Sequence, residues 1–283
     1  MTAIGRGAAA VTGAASGIGR ALAIELAARG CNLALADRDE AGLQTVAAEI
    51  KRTTSRKVSV HRVDVGERTE IADFATAAVA AHPELNILIN NAGVALLGNF
   101  DEIDQAEMEW LFSINFWGVV HSTRAFLSHL ATRPEAHIVN ISSIYGIVAP
   151  PGQTAYSSAK FAVRGFSESL RHELQVAESP VRLSVVHPGG VATNIARNMR
   201  TGFGVTDNER RALAIDYFDQ FAGTTPKDAA LRIIRGIARN EPRILIGGDA
   251  RFMDLLQRFR PATYWRVLAK RFEKMRKAVE KGK

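Results

Sequence analysis

The chain contains few of the features that mark secreted or membrane-spanning proteins. Its 283 residues include a single cysteine, Cys31, which excludes a disulfide within the chain and fits a reducing compartment. No apolar run approaches the roughly 18 residues of a membrane-spanning helix, and the N-terminus lacks the pattern of a secretory signal. We therefore expect a cytoplasmic location, with Cys31 as a small buried hydrophobic residue.

Patterns for metal ligands and for a nucleic-acid groove are also missing. The seven histidines show neither HExxH nor Cys/His ligand spacing, so no metal is expected. The net charge of +7 is concentrated at one end: residues 266–283 hold eight Lys or Arg and two Glu, and the preceding 265 residues carry only +1. A nucleic-acid partner needs basic residues spread over one face of the fold, so none is expected.

Short apolar runs alternate with helical patterns along the whole chain. This alternation indicates an α/β fold in which helices cover both faces of a parallel sheet, and the length suits one domain. Long helices are predicted near Gln105–Leu130 and Ala155–Val176. The predicted strands are Ala8–Val11, Asn32–Ala36, Val58–Val63, Ile87–Asn90, His137–Ile141, Val181–Val186 and Arg243–Ile246.

Tyr156 and Lys160 stand four residues apart in the second long helix, which places both side chains on one face. A phenol ionises near pH 10, and a nearby cation favours the phenolate and lowers its pKa. The pair is therefore a candidate proton donor and acceptor, and Ser143 from a neighbouring strand end could hold the reacting oxygen. Tyr and Lys at this spacing also occur commonly on protein surfaces.

A glycine-rich segment, Thr12–Gly19, lies between the first predicted strand and a helical pattern. Glycines in this place let the backbone approach a pyrophosphate, which the helix dipole and free N–H groups attract. Glycine-rich turns are common in proteins, but this position after the first strand is the one that dinucleotide binding requires.

Together these motifs resemble the short-chain dehydrogenase/reductase family, in the branch with a TGxxxGxG turn and a YxxxK pair. The matching motifs are Thr12–Gly19, Asp64-Val65, Asn90-Asn91-Ala92-Gly93, Asn115, Ser143, Tyr156 with Lys160, and Pro188-Gly189-Gly190-Val191-Ala192-Thr193. The resemblance covers roughly residues 5–247 and implies a doubly wound Rossmann fold with strand order 3-2-1-4-5-6-7. We expect a catalytic and cofactor-binding domain over residues 1–248 and a basic, amphipathic helical extension over residues 249–283.

The resemblance further implies a nicotinamide cofactor. Asp64 and Val65 would contact its adenine, and Val191 with Thr193 would hold its carboxamide. The whole implied set is Gly13, Ser16, Gly17, Ile18, Gly19, Asp37, Arg38, Asp64, Val65, Asn91, Ala92, Gly93, Tyr156, Lys160, Pro188, Gly189, Val191 and Thr193.

Simpler explanations exist for some members of this set. Asn91 and Gly93 would lie along the adenosine ribose, but the segment 90–93 could merely close a strand. Asp64 could instead cap the following helix.

Asp37, at the end of the second predicted strand, favours NAD over NADP. Its carboxylate can accept hydrogen bonds from ribose hydroxyls, whereas a 2′-phosphate about 4 Å away would meet a repulsion of about 4 kcal/mol. Arg38 could instead pair with that phosphate. The position just before the second glycine, where the family most often has a basic residue that binds the phosphate, is here Ser16. Both Asp37 and Arg38 could also be ordinary solvated residues.

By the resemblance, Ser143 would donate a hydrogen bond to the substrate oxygen and Tyr156 would exchange its proton. Lys160 would lower the pKa of the tyrosine and bind the nicotinamide ribose. Asn115 would kink the first long helix and connect Lys160 to solvent, or it could make only a local backbone bond. The implied reaction is the interconversion of an alcohol and a carbonyl compound, with hydride chemistry supplied by the cofactor.

Other functions stay open beside this one. A catalytically silent nucleotide sensor or scaffold would need the glycines but not the whole catalytic set. An epimerase or dehydratase would usually have a different glycine spacing and a larger C-terminal domain. A membrane-peripheral binding protein would explain the basic tail but not the catalytic residues.

The segment 194–225 is too long for a plain connection and is predicted to form a helical lid. Its apolar content predicts a medium-sized, largely apolar alcohol or ketone, against which Arg197, Arg200, Arg210 and Arg211 argue mildly. The apolar candidates of the lid are Ile195, Met199, Phe203, Tyr217, Phe218 and Phe221. Further pocket candidates are Ala95, Leu96, Ile144, Tyr145 and Val148.

Two apolar stripes, separated by Pro261, follow the last predicted strand and suit a helical hairpin. We expect the stripes to pack on the domain, with pairing to another subunit or contact with an anionic membrane as alternatives. A homo-oligomer is expected. The first stripe is Phe252, Met253, Leu255, Leu256 and Phe259, and the second is Tyr264, Leu268, Phe272, Met275 and Val279.

Overall fold

The computed structural model describes residues 2–206, 208–270 and 273. Within them, seven strands form the main sheet: β1 (Ala8–Thr12), β2 (Asn32–Asp37), β3 (Val58–Arg62), β4 (Leu85–Asn90), β5 (Ala136–Ile141), β6 (Val181–Pro188) and β7 (Arg243–Ile246). The helices are α1 (Gly17–Ala28), α2 (Glu40–Thr53), α3 (Arg68–Ala81), α4 (Gln105–Phe112), α5 (Gly118–Ala131), α6 (Thr154–Val176), α7 (Asn208–Phe221), α8 (Pro226–Ala238) and α9 (Gly248–Phe259).

All neighbouring strands of the main sheet are parallel, in the order β3-β2-β1-β4-β5-β6-β7. The predicted order and the doubly wound Rossmann fold are thus confirmed. The strand order reverses between the neighbouring strands β1 and β4, because the chain crosses from one half of the sheet to the other after β3. In open α/β sheets, ligands bind at such a reversal.

The central strands β1, β4 and β5 are buried along their whole length because both faces of the sheet are covered by helices, whereas the edge strand β3 is only partly buried. Ala9 and Val11 of β1 face a core built with α1, α2 and α8, whereas Ala8 and Ala10 face a second core built with α3, α5 and α6. Successive side chains of a strand point to opposite faces, so a single strand contributes to both cores.

The first predicted long helix, Gln105–Leu130, is interrupted around Asn115, the residue at which the resemblance implies a kink. It consists of α4, a π-helical segment Ser113–Trp117, and α5. Asn115 lies inside the π segment and is fully buried. The π segment changes the direction in which this side chain leaves the helix. Such segments are frequent at functional sites.

The lid segment predicted over residues 194–225 contains α7 and the two-residue strand Arg200–Thr201. That strand pairs with Leu96–Leu97, which follows β4. The segment is therefore attached to the main body at the loop beyond the fourth strand.

The described part of the C-terminal extension, residues 249–270, packs on the body of the domain. After α9, residues 264–270 are helical. Leu268 is 1% exposed in a cluster with Ile144 and Val148, and the Tyr264 hydroxyl accepts a 3.0 Å hydrogen bond from the backbone N–H of Ala149. The predicted stripe residues Phe272, Met275 and Val279 lie outside the described residues. Among the helices that the structure describes, none has the length and apolar character to cross a membrane.

Candidate active site

Ser143 and Tyr156 come together at the carboxyl end of β5. Ser143 follows that strand and is the N-cap of the short 3-10 turn Ile144–Gly146. Its Oγ accepts a 3.1 Å hydrogen bond from the backbone N–H of Tyr145. Tyr156 lies in the first turn of α6, the helix that follows this turn. The Ser143 and Tyr156 side chains are hydrogen-bonded to each other.

The protonation of Tyr156 differs from the expectation. Desolvation by the surrounding protein raises the pKa of Tyr156 to about 12, and the hydrogen bond with Ser143 opposes this only in part. The predicted lowering of this pKa by Lys160 is therefore wrong for the arrangement described here. Lys160 Nζ is 5.7 Å from the centre of the tyrosine ring, and burial lowers the pKa of Lys160 to about 8. Removal of water from around both groups shifts each of them towards its neutral form.

Lys160 and Asn115 converge beneath the loop that follows β4. Lys160 is 3% exposed and donates a 3.1 Å hydrogen bond to the carbonyl of Ile141. Asn115 accepts a 2.8 Å bond from the N–H of Val94 and donates one of 2.8 Å to its carbonyl. These bonds cross 21 residues, so the local backbone bond considered for Asn115 is not what holds it. A Cβ on Gly93 would lie 3.2 Å from the Asn115 oxygen and 3.5 Å from Lys160 Nζ, so all three residues are neighbours.

The glycine turn is closely packed against the loop after β4. Gly13 has a φ of +66°, and a Cβ there would lie 2.8 Å from the Cα of Ala92. Asn91 donates 3.0 Å hydrogen bonds to the carbonyls of Thr12 and Gly13. Asn91 therefore does more than close a strand, since it holds the turn in place.

Two predicted residues mark the start of the helix after this turn. Ser16 is the exposed N-terminal flanking residue of α1, and Ile18 is partly exposed in its first turn. Gly17 lies against Thr193 from the loop after β6, and Gly19 is buried against the carbonyl of Gly13. The two predicted cofactor loops thus meet at the N-terminus of α1.

The Asp37 side chain, at the end of β2, binds two backbone N–H groups, so it is not simply a solvated residue. Its two carboxylate oxygens accept hydrogen bonds of 3.0 Å from Ala15 N–H and 3.1 Å from Asp39 N–H. The bond to Ala15 places the carboxylate beside the glycine turn. Arg38 is exposed.

Asp64 does not cap α3, because the residue before that helix is Glu67. Its carboxylate accepts a 2.8 Å bond from Gly66 N–H, and its own N–H donates to Glu70 at 2.8 Å. Val65 is buried in the second core.

The loop after β6 is joined to C-terminal parts of the chain. Gly189 N–H donates to the carbonyl of Ile246, the last residue of β7, at 3.0 Å. Gly190 N–H donates to the Asp249 carboxylate at 2.7 Å. Pro188 ends β6, and Val191 is buried beyond the turn.

Asp249, Tyr145 and His187 are site neighbours whose contacts the sequence interpretation missed. Tyr145 was considered only as a pocket residue, yet its ring meets Tyr156 edge-on at 6.2 Å. His187 Nδ1 is 2.9 Å from the Ser143 carbonyl, and burial lowers its pKa to about 4, so the ring is neutral and can donate to that carbonyl. The sequence signal for Asp249 was its position directly after the glycine pair that follows the last strand.

Most other pocket candidates belong to the core. Leu96 packs with Leu111 and Ala155, whereas Ile144 and Val148 pack against the C-terminal extension. A cleft of about 450 Å³ borders the outer side of the glycine turn and is lined by Gly17, Arg20, Ala21, Ile24, Glu25, Glu49, Ala192, Thr193, Asn194, Thr225, Pro226 and Lys227. Among the described residues, no group of three or more acidic, His or Cys side chains could hold a metal.

Comparison with known proteins agrees with this geometry. A family model described as short chain dehydrogenase matches residues 7–203. The Mycobacterium tuberculosis protein named "Putative oxidoreductase SadH" is 42% identical over 262 residues, which is 92% of this chain and 93% of that protein. The Drosophila melanogaster protein named dehydrogenase/reductase SDR family protein 7-like is 30% identical over 276 residues, 96% of this chain and 82% of that one.

Solved structures are similar as well. A short chain dehydrogenase/reductase from Burkholderia phymatum in complex with NAD has a TM-score of 0.83 and 30% identity, and the match covers 92% of this chain and 95% of that one. A metagenomic short-chain oxidoreductase in complex with NADP has a TM-score of 0.69 and 26% identity, with 87% and 98% covered. The family model, the relatives and the seven-stranded fold agree: this chain is an oxidoreductase of the short-chain dehydrogenase family.

Proposed function

We propose that this protein uses a nicotinamide cofactor to interconvert an alcohol and a ketone or aldehyde. The observation that carries the proposal is the convergence of Ser143, Tyr156, Lys160 and Asn115 at the carboxyl ends of the central strands. A nucleotide sensor would need the glycine turn but no hydroxyl pair beside a buried lysine.

The residues around the glycine turn fit a dinucleotide. The left-handed backbone at Gly13 and the N-terminus of α1 form the kind of turn that accepts a pyrophosphate. The Asp37 carboxylate, held beside this turn, supports NAD as the first choice, with NADP second. The similar structures from Burkholderia phymatum and from the metagenomic source were solved with NAD and NADP respectively.

In the proposed reaction, Ser143 donates a hydrogen bond to the substrate oxygen and Tyr156 exchanges the proton. When bound, the cofactor supplies the hydride transfer. A tyrosine pKa of about 12 keeps the phenol protonated, which is the form that protonates a carbonyl oxygen during reduction. The opposite direction needs phenolate, which the hydrogen bond from Ser143 favours.

The lid contacts support an apolar substrate. The arginines that argued for an acidic one already have partners: Arg197 is paired with Asp219, and Arg210 with Glu102 at 2.5 Å. Arg200 stacks on the Trp110 ring at 3.7 Å, and Arg211 donates to the Arg197 carbonyl at 2.7 Å. A substrate carboxylate would have to displace one of these contacts.

The experiment is a steady-state assay at 340 nm with neutral secondary alcohols, their ketones and matched hydroxy acids. We expect NAD-dependent turnover of neutral substrates, with the acids poorer. Strong selectivity for acids would contradict the substrate class. Tight NADH binding with no turnover of any substrate would instead favour the sensor.

We also propose that the protein forms a homo-oligomer. Trp117, in the π segment, is 48% exposed, and Phe161, in α6, is 38% exposed. The two segments are in contact, since the rings of Phe116 and Phe166 pack edge-on with centres 6.4 Å apart. Large exposed aromatic side chains on adjoining helices suit an interface. Light scattering after size exclusion measures the mass, and a monomer would contradict this proposal.

A further inference from the structure

The turn Pro188–Thr193 is held almost entirely by residues that come later in the chain. Gly189 N–H bonds to the carbonyl of Ile246, and Gly190 N–H bonds to the Asp249 carboxylate. Ala192 N–H donates to the carbonyl of Thr224 at 2.9 Å, and Thr224 N–H donates back to the carbonyl of Gly190 at 3.1 Å. The turn therefore has little support of its own.

Asp249 is the residue that contacts this turn through its side chain, and two glycines, Gly189 and Gly247, leave room for its carboxylate. Its carboxylate covers the α-carbon of Gly189 so closely that a Cβ there would collide with both oxygens, and a Cβ on Gly247 would collide with one of them. The 2.7 Å bond to Gly190 joins residues 59 positions apart. A carboxylate that accepts from a backbone N–H makes one of the stronger hydrogen bonds in proteins.

Asp249 also acts electrostatically on Tyr145, a neighbour of Tyr156. Its charge contributes to a raised pKa of Tyr145, after desolvation and the influence of Tyr156. Tyr145 in turn packs edge-on against Tyr156. Asp249 thus bonds to the turn after β6 and influences the aromatic neighbour of Tyr156 through its charge.

We propose that Asp249 is a positioning residue that orients the turn holding the nicotinamide end of the cofactor. This inference rests on the proposed function, in which Val191 and Thr193 contact the nicotinamide. Asp249 does so by fixing the N–H of Gly190, one residue before Val191. The first turn of α9 is accordingly part of the cofactor site, although it lies beyond the part of the chain that the family model matches.

The test compares two ligands that share the adenosine end of the cofactor and differ at the nicotinamide end. NADH and ADP-ribose are titrated calorimetrically into the full chain and into Asp249→Ala and Asp249→Asn variants. Asp104→Ala is the matched control, because Asp104 is also a helix-start acid that accepts a 2.7 Å bond from a backbone N–H, that of Glu107.

We expect Asp249→Ala to weaken NADH binding about tenfold, the lower end of the contribution of a charge-assisted hydrogen bond. ADP-ribose affinity should stay within about twofold, since that ligand lacks the nicotinamide. Asp249→Asn keeps an acceptor oxygen and should restore NADH affinity to within about threefold of the wild type. The Asp104→Ala control should bind both ligands as the wild type does.

Other outcomes overturn the assignment. Unchanged NADH affinity in Asp249→Ala, or an equal loss for both ligands, would show that Asp249 does not act at the nicotinamide end. If Asp249→Ala does not fold, Asp249→Asn alone decides. Asp249→Asn keeps the acceptor oxygen, so NADH binding by this variant that is no tighter than its ADP-ribose binding would contradict the proposed role of that oxygen. A wild type that binds neither ligand would overturn the proposed function itself, and this inference with it.

Discussion

Desolvation determines which protonation states Tyr156 and Lys160 favour. The pKa of the phenol is raised to about 12 and that of the ammonium is lowered to about 8, so both groups are pushed towards their neutral forms. Ser143 is the neighbour that favours the phenolate, through its hydrogen bond. In the proposed reaction, a phenol in this state gives its proton to a carbonyl oxygen.

Replacing Tyr156 by Phe should lower kcat by about 10² to 10⁴, because the ring remains and only the exchangeable proton is lost. NADH affinity, measured by fluorescence titration, should change little. Tyr145→Phe is the control, since it removes a second phenol whose ring lies 6.2 Å from that of Tyr156. If Tyr156→Phe retained wild-type kcat on a good substrate, the assignment of the acid/base would be wrong.

Asp37→Ser should raise the kcat/KM of NADP relative to NAD by at least about tenfold, because it removes a carboxylate that repels a 2′-phosphate. Serine lacks the carboxylate oxygen that accepts from Ala15 N–H, so both cofactors are compared in the same variant. Asp39→Ser, two residues away, keeps a helix-capping oxygen and should leave the ratio unchanged. A wild type that prefers NADP would refute the role given to Asp37.

Among the elements, β5 and β6 each bury a histidine. In β5, His137 contacts Thr2 at 3.1 Å and Ser184 at 2.8 Å, and desolvation lowers its pKa to about 4. The folded protein therefore binds a proton at His137 less readily than the unfolded chain does. The lowered pKa contributes stability above about pH 6.5, and this contribution is lost as the pH falls towards 4.

We expect the free energy of unfolding to fall across this range by about 1.4 kcal/mol per pH unit for such a histidine. His137→Asn should show a shallower pH dependence between about pH 6.5 and 4 in urea titrations. His172→Asn, on an exposed position of α6, should keep the wild-type slope. If the free energy of unfolding depended on pH equally in all three proteins, His137 would not control the loss of stability at acid pH.

The C-terminal helical segment supports the loop that carries Ser143. Leu268→Ala should lower the free energy of unfolding by about 2–5 kcal/mol, because it leaves a cavity against Ile144 and Val148. The adjacent Val267 is 38% exposed, and Val267→Ala should cost less than about 1 kcal/mol. Chemical denaturation measures both values, and equal small losses would show that the segment is not held on the domain.

At the scale of the whole molecule, we propose that residues 1–248 and the extension over 249–283 form one catalytic unit. Leu268 and Tyr264 pack beside the Ser143 loop, and Asp249 bonds to the turn after β6. A truncation after Gly248 would therefore remove part of the site as well as part of the core.

We also propose that the outer face of α9 meets anionic lipid. Leu255 and Phe259 are 54% and 82% exposed on this face, with exposed Arg251, Arg260 and Arg266 in the same region of the chain. Apolar side chains bordered by arginines suit an anionic interface, and residues 266–283 add a charge of +6.

The double variant Leu255→Ser, Phe259→Ser should lose sedimentation with phosphatidylserine vesicles at low salt. Val176→Ser is the control, because Val176 is 86% exposed at the end of α6. A wild type that stays in the supernatant, or a double variant that still pellets, would exclude this contact. A double variant that changes the oligomeric mass would show that a second copy covers the face.

Features that depend on local spacing were determined by the sequence itself. Short apolar runs that alternate with helical patterns predict the strands and their covered faces. The i, i+4 spacing places Tyr156 and Lys160 on one side of α6. The order of the sheet followed once the glycine turn, the Ser-Tyr-Lys set and the later motifs were taken together as a family resemblance.

Only the tertiary structure decided what joins residues far apart in the chain. The Asn115 bonds to Val94 cross 21 residues, and the Asp249 bond to Gly190 crosses 59, so no local pattern announces either. The pKa of Tyr156 was misjudged for the same reason. Sequence spacing shows which charge lies near a phenol, but the water that folding removes from around it depends on every element packed there.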